Sequence, residues 1–160
     1  MIRYIAEEDA RHIHDSTITL SGGGDYGEVN VGFLLSALEF IQNDDYYPTF
    51  ESKLVHLIWS INKNHAFSDG NKRLSITLGL QFLNLNGYLY CITRFLYEME
   101  NISYHLAKGH DIISKELLTE LIHSILEGEK DYNEELKLRY MMACAELKDL
   151  EDANLINDEN

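Results

Sequence analysis

Two strongly apolar segments near the middle of the chain flank a polar one. In the first, Leu54, Val55, Leu57, Ile58, Trp59 and Ile61 recur at helical spacing. In the second, Leu74, Ile76, Leu78, Leu80, Phe82, Leu83 and Leu85 leave no polar face. That pattern predicts a central helix buried all round. It ends at Asn86-Gly87, because glycine readily takes the left-handed cap conformation. Between the two lie His65-Ala66-Phe67-Ser68-Asp69-Gly70-Asn71-Lys72-Arg73. These nine residues read as a tight connection between two core helices, with Ser68 or Asp69 as N-cap of the second.

The same patterning divides the rest of the chain. Residues 2–15 predict a first helix. Asn30 caps a second, carrying Val31, Leu34, Leu35, Leu38 and Ile41; Asn43-Asp44-Asp45 closes it, and Tyr46-Tyr47-Pro48 turns the chain. Tyr88–Ile92 is short, apolar and β-prone, and predicts a small strand or an extended link. Phe95, Met99, Ile102 and Leu106 define a helix closed by Gly109. Leu117, Leu118, Leu121, Ile122, Ile125 and Leu126 define another, capped by Ser114 and ended by Gly128. Beyond it the composition shifts: residues 129–160 hold ten acidic residues against four basic ones. One stripe persists there (Leu136, Tyr140, Ala143, Leu147, Leu150), with Asn133 as cap. It is too short for a free coiled coil and predicts a helix docked on its own domain or on a partner. Asn154–Asn160 read as a frayed tail. The expected fold is an all-α bundle with at most a small β-hairpin, residues 1–128 forming the domain and 129–160 an acidic helix and tail.

Composition narrows the function. At 160 residues with one proline and 45% hydrophobic residues, the chain can bury one sizeable core. A net charge of −14 argues against broad binding to nucleic acid or anionic membranes. Cys91 and Cys144 lie in no pairing motif and fit a reducing cytoplasm. Met1-Ile2-Arg3 leads straight to Glu7, Glu8 and Asp9, so no signal-peptide pattern is present, and no apolar run suffices to span a membrane.

Against this acidic background Lys72 and Arg73 stand out. Cations at a helix N-terminus are unfavourable by about 0.3–1 kcal/mol each, unless an anion is expected there. Gly70 permits close backbone approach, and the N–H groups of Asn71 and Lys72 can face phosphate oxygens. Asp69 beside a polyphosphate suggests Mg²⁺ bridging carboxylate and phosphate. His65 can take a proton from an attacking hydroxyl. Together these residues describe a site for phosphoryl-type transfer.

Two other stretches carry weaker signals. Ser21–Gly27 is glycine-rich but lacks the G-x-G-x-x-G layout after a strand, and predicts a mobile loop. His12, His14 and Asp15 suggest a metal site. Residues two apart on a helix do not face the same way, however, and His56, His105, His110 and His123 show no ligand spacing.

His-x-Phe-x-Asp-Gly-Asn-x-Arg resembles the signature of the Fic/Doc (Fido) superfamily, and its Lys72-Arg73 ending resembles the death-on-curing toxin branch. Members that transfer AMP usually carry glycine where this chain has Lys72, and often an arginine where it has Ile76. The resemblance implies a Fido-type helical bundle with a flap within residues 16–28. It also implies ATP and Mg²⁺ as ligands, and transfer of the γ-phosphate to a protein hydroxyl. His65 would be the general base and Asp69 the metal residue. Gly70, Asn71, Lys72 and Arg73 would hold phosphate, and Phe67 would anchor the loop. The implied partners are a substrate similar to elongation factor Tu and a Phd-like antitoxin. The His14-Asp15 pair would have a structural or substrate-side role. No self-inhibitory Ser/Thr-x-x-x-Glu helix is found, so inhibition would come from another chain. The alternatives are AMP transfer by the same site, a metal phosphohydrolase built on His12, His14 and Asp15, and a non-enzymatic interaction module.

Overall fold

A computed structural model describes residues 1–20, 30–63, 69–109 and 111–153. Those residues form seven α-helices and no strand. They are α1 (Glu7–Leu20), α2 (Val31–Phe40), α3 (Phe50–Lys63), α4 (Asp69–Leu85), α5 (Ile92–Ala107), α6 (Lys115–Leu126) and α7 (Glu134–Asp152). The all-α expectation holds. Three predicted caps form: the side chains of Asn30, Ser114 and Asn133 accept from the backbone N–H of Phe33, Leu117 and Leu136 at 2.7, 3.0 and 2.9 Å. Gly87, at φ +80°, ends α4 as expected.

Three local expectations are corrected. The first helix runs from Glu7 to Leu20, not over residues 2–15. Its start is set by Glu7, Glu8 and Asp9, which complement the positive end of the helix dipole. The residues before it are held extended: the Arg3 N–H donates to the Asn86 side chain at 2.8 Å, and that amide donates back to the Arg3 carbonyl at 2.9 Å. Tyr88–Ile92 is neither strand nor extended link. Leu89–Cys91 is a 3₁₀ turn, fastened by stacking of Tyr88 on Phe50 with ring centres 4.3 Å apart. Lastly, α4 is not apolar all round. Arg73, Thr77 and Asn84 share an exposed stripe that a reading of the apolar positions alone passes over. Of the flap expected within residues 16–28, residues 16–20 continue α1, and 21–29 lie outside the described residues.

The antiparallel pair α3–α4 is the centre, with α1, α5 and α6 around it. Phe50 stacks on Phe82 at 4.7 Å and fixes one end of the pair; Tyr4 reaches the same ring at 6.2 Å. Lys53 is wholly buried, and its ammonium donates to the Ile41 carbonyl and to Asp44, both at 2.7 Å. It thereby satisfies the end of α2 from inside the core. The tightest approach is between α4 and α5 at Gly79. A β-carbon there would lie 2.6 Å from the ring of Phe95, which is fully buried. The acidic helix α7 docks on the same body: Leu136, Tyr140, Ala143 and Leu147 join the common core, and Arg139 pairs with Glu120 of α6 at 2.7 Å.

Two outcomes follow from this packing. Alanine has the better helix propensity by about 1 kcal/mol, yet Gly79→Ala is expected to destabilise the fold by about 1–2 kcal/mol in urea titration. Phe95→Leu in the same chain should recover part of the loss, because it empties the space the new methyl needs. The second concerns His56, whose Nδ1 lies 3.0 Å from the Tyr47 hydroxyl and 3.1 Å from Lys115 Nζ. Burial, and then the Lys115 charge, pull its pKa down from 6.5 to about 4. Between those values the unfolded chain binds the proton more readily. The stability conferred by neutral His56 is therefore complete above pH 6.5 and is lost as the pH falls toward 4, by on the order of 1–2 kcal/mol for a partly exposed ring. Denaturation of the wild type and His56→Gln at pH 7 and 4.5 should show a smaller acid loss in the variant.

Candidate active site

Because α3 and α4 are antiparallel and pinned by Phe50 and Phe82, the end of α3 and the start of α4 meet at the opposite end of the bundle. Residues 64–68 connect them. His65 and Phe67 lie outside the described residues, as does the side chain of Asp69, whose backbone opens α4. The approach from α3 is held firmly. Asn62 is 1% exposed and donates to the Ile58 carbonyl at 2.9 Å. Lys63 lies over the Trp59 ring at 4.9 Å and reaches Asp111 at 3.3 Å. Asn62 Oδ1 is buried with no hydrogen-bond partner among the described residues, which leaves an acceptor just ahead of the connection. A buried group in that state costs about 1–3 kcal/mol.

The first turn of α4 brings four expected residues together. Gly70 is buried, and Asn71 is only 2% exposed. Lys72 and Arg73 follow and diverge. The Lys72 ammonium turns to Glu100 of α5 at 3.4 Å. The Arg73 guanidinium donates to the Leu20 carbonyl, at the end of α1, at 3.1 Å. That end needs a cation, since the last turn of α1 has no basic residue. The two charges at the start of α4 therefore have resident oxygen partners within the fold. The expectation that an anion accounts for these cations gains a second element: a phosphate arriving here would compete with a carboxylate and a carbonyl.

Beneath this turn the Ser75 hydroxyl donates to the Lys72 carbonyl at 3.0 Å and lies 3.2 Å from the Ser103 hydroxyl. Ser75 and Ser103 are wholly buried. They tie the first turns of α4 to α5. Sequence reasoning missed Glu100, Ser75 and Ser103. Each pairs with a residue some 28 positions away, and such pairs leave no periodic trace. The first turn of a seventeen-residue helix, with a glycine and two cations, is the kind of helix start that binds a phosphate or polyphosphate.

The described histidines do not converge on a second centre. His12 and His14 both lie within α1, two positions apart, and His14 Nδ1 is 3.1 Å from Asp15. His123 pairs with Glu51 at 2.7 Å, and His105 Nδ1 lies 2.8 Å from the Asn101 carbonyl. Among the described residues no three His, Cys, Asp or Glu side chains could hold one metal ion. None of the described helices is long and apolar enough to cross a membrane.

Comparison with models of known protein families gives a match to the Fic/DOC family over residues 4–83, half of the chain. The matched stretch runs from the residues before α1 almost to the end of α4, and so includes the whole first turn described above. No curated protein and no solved structure matches the chain significantly.

The resident partners make a direct forecast for the protein without ligand. Arg73→Met is expected to lower unfolding free energy by about 1 kcal/mol, because the end of α1 loses its only cationic donor among the described contacts. Lys72→Met removes an ion pair whose carboxylate, Glu100, is 67% exposed, and should cost less, about 0–1 kcal/mol. Urea midpoints of the two variants check the order.

Proposed function

Because the chain belongs to the Fic/DOC family across residues 4–83, we propose that it modifies a protein by moving the γ-phosphate of ATP onto a Ser or Thr hydroxyl. The observation that carries this reading is Lys72, a largely buried cation on the first turn of α4 at the position where AMP-transferring members usually have glycine. A lysine there narrows the space for an α/β-phosphate pair at the helix start, and supplies charge for a terminal phosphoryl group instead.

The chain's own groups divide the work as follows. His65 takes the proton of the attacking hydroxyl, a step that contributes about 10²–10⁴-fold. Asn71 and the first backbone N–H groups of α4 orient the phosphate oxygens. Lys72 and Arg73 exchange Glu100 and the Leu20 carbonyl for phosphate as ATP enters. Asp69 is the residue that would hold Mg²⁺, whose chemistry is neutralisation of the phosphate charge. The substrate is a cytoplasmic protein similar to elongation factor Tu, and the inhibitor is a Phd-like antitoxin supplied as a separate chain.

AMP transfer by the same residues is the second reading, and one observation favours it. Lys72 leans toward Glu100, which leaves the axis of α4 less obstructed than lysine in that position suggests. ATP labelled at the γ- or the α-phosphate separates the two. Label arriving on protein only from the γ-position supports the kinase reading, and label from the α-position supports AMP transfer. His65→Ala should abolish transfer without moving the melting temperature, and normal turnover in that variant would overturn the assignment of the base. In mass spectra, Lys72→Gly should shift the adduct from phosphate toward AMP. Phosphate as the sole adduct would reduce Lys72 to a simple phosphate contact.

A further inference from the structure

The side of α7 that faces away from the bundle is apolar where a solvated helix is polar. Leu138, Met141 and Met142 are 58%, 60% and 62% exposed, and Ala145 is exposed one turn further on. These positions recur at spacings of three and four, so they form one continuous stripe. It lies opposite the docked stripe of Leu136, Tyr140, Ala143 and Leu147. The helix thus has two apolar faces, only one of which the described residues cover.

The charge around the stripe is mostly negative: Lys148 is exposed at its edge, against Glu134, Glu135, Glu146, Asp149 and Asp152 on the same helix. The cations Lys137 and Arg139 are already engaged, by Asp131 at 2.5 Å and by Glu120 at 2.7 Å. Glu146 and Asp149 flank the stripe with no ion pair among the described residues, and Asp152 follows at the end of the helix. The last turn of α7 contains no basic residue. Carboxylates gathered at the negative end of a helix dipole oppose the helix that bears them. Lys108, at the end of α5, supplies one cation there, 3.4 Å from Glu151, and a cation brought by a partner complements Asp149 and Asp152. A second copy of this chain would bring more acid to the face, since the whole chain carries a net charge of −14.

We propose that the outward face of α7 is a docking surface for a basic amphipathic helix of a partner protein. The partner lays aliphatic side chains along Leu138, Met141 and Met142 and sets Lys or Arg beside Glu146, Asp149 and Asp152. Methionine suits this use, because its unbranched, polarisable side chain adapts to the surface it meets. Recognition of this kind is the helix-on-groove mode, read by apolar anchors three and four residues apart.

The test uses the full chain and a synthetic peptide of leucine and lysine, with leucine at positions i, i+3, i+4 and i+7, together with the same peptide bearing glutamate for lysine. Fluorescence anisotropy at low and moderate salt is expected to show binding of the lysine peptide that weakens as salt rises, and at least tenfold weaker binding of the glutamate peptide. Leu138→Ser with Met142→Ser should reduce affinity at least tenfold without lowering the melting temperature, since both positions are on the surface. Glu146→Gln with Asp149→Asn should reduce it about threefold or more and flatten the salt dependence. Equal affinity in the serine variant, equal binding of the two peptides, or a dimer of the chain in sedimentation that the serine variant abolishes and the peptide does not displace would each overturn the proposal.

Discussion

The close crossing of α4 over α5 at Gly79 is the contact on which the rest of the structure depends. With hydrogen in place of a side chain, the backbone of α4 comes down onto the fully buried ring of Phe95. The crossing also brings Ser75 level with Ser103, and Lys72 level with Glu100. On its other side α4 is clamped to α3 by the stacked rings of Phe50 and Phe82. A helix held at both faces along its length presents its first turn in one position. The described part of the candidate site is that first turn, and its geometry derives from core packing. Mounting functional groups on a rigid element in this way is what precise positioning requires.

Helix ends explain much of the charge distribution. The end of α1 lacks a cation of its own and takes one from Arg73. The end of α2 is served by Lys53, brought in through the core. The start of α4 carries two cations against its dipole, each balanced by an oxygen of a neighbouring helix. Those balances are modest and solvent-facing, so an incoming phosphate with several negative charges can displace them. The same physical rule, applied to the acidic end of α7, leaves an imbalance that Lys108, 3.4 Å from Glu151, offsets only in part.

Much of the fold was legible in the sequence because it is written in local chemistry. Asn30, Ser114 and Asn133 each bond a backbone N–H three residues on, and Gly87 stands where a left-handed residue was needed. The apolar stripes of α3, α5, α6 and α7 are the buried faces. What the sequence did not disclose is non-local. The start of α1 moved to Glu7 because Asn86, far along the chain, holds Arg3 extended. Tyr88–Cys91 has β-prone residues but no strand to pair with, and packing on Phe50 curls it instead. At the site, the run from Gly70 to Arg73 was readable as an anion-binding helix start. Glu100 and Leu20, the partners that hold its cations, are found only when α5 and α1 are folded against it.

The central claim is that the first turn of α4, carried on the most tightly packed helix, is where phosphate binds. Titration of the isotopically labelled chain with ATP and Mg²⁺, followed residue by residue through backbone amide resonances, tests it most directly. The account predicts that the largest shifts fall on the amides of Gly70, Asn71, Lys72 and Arg73, with a smaller response at Glu100 as Lys72 leaves it, and little change along α7. Saturating shifts centred elsewhere, with those four amides unmoved, would contradict it.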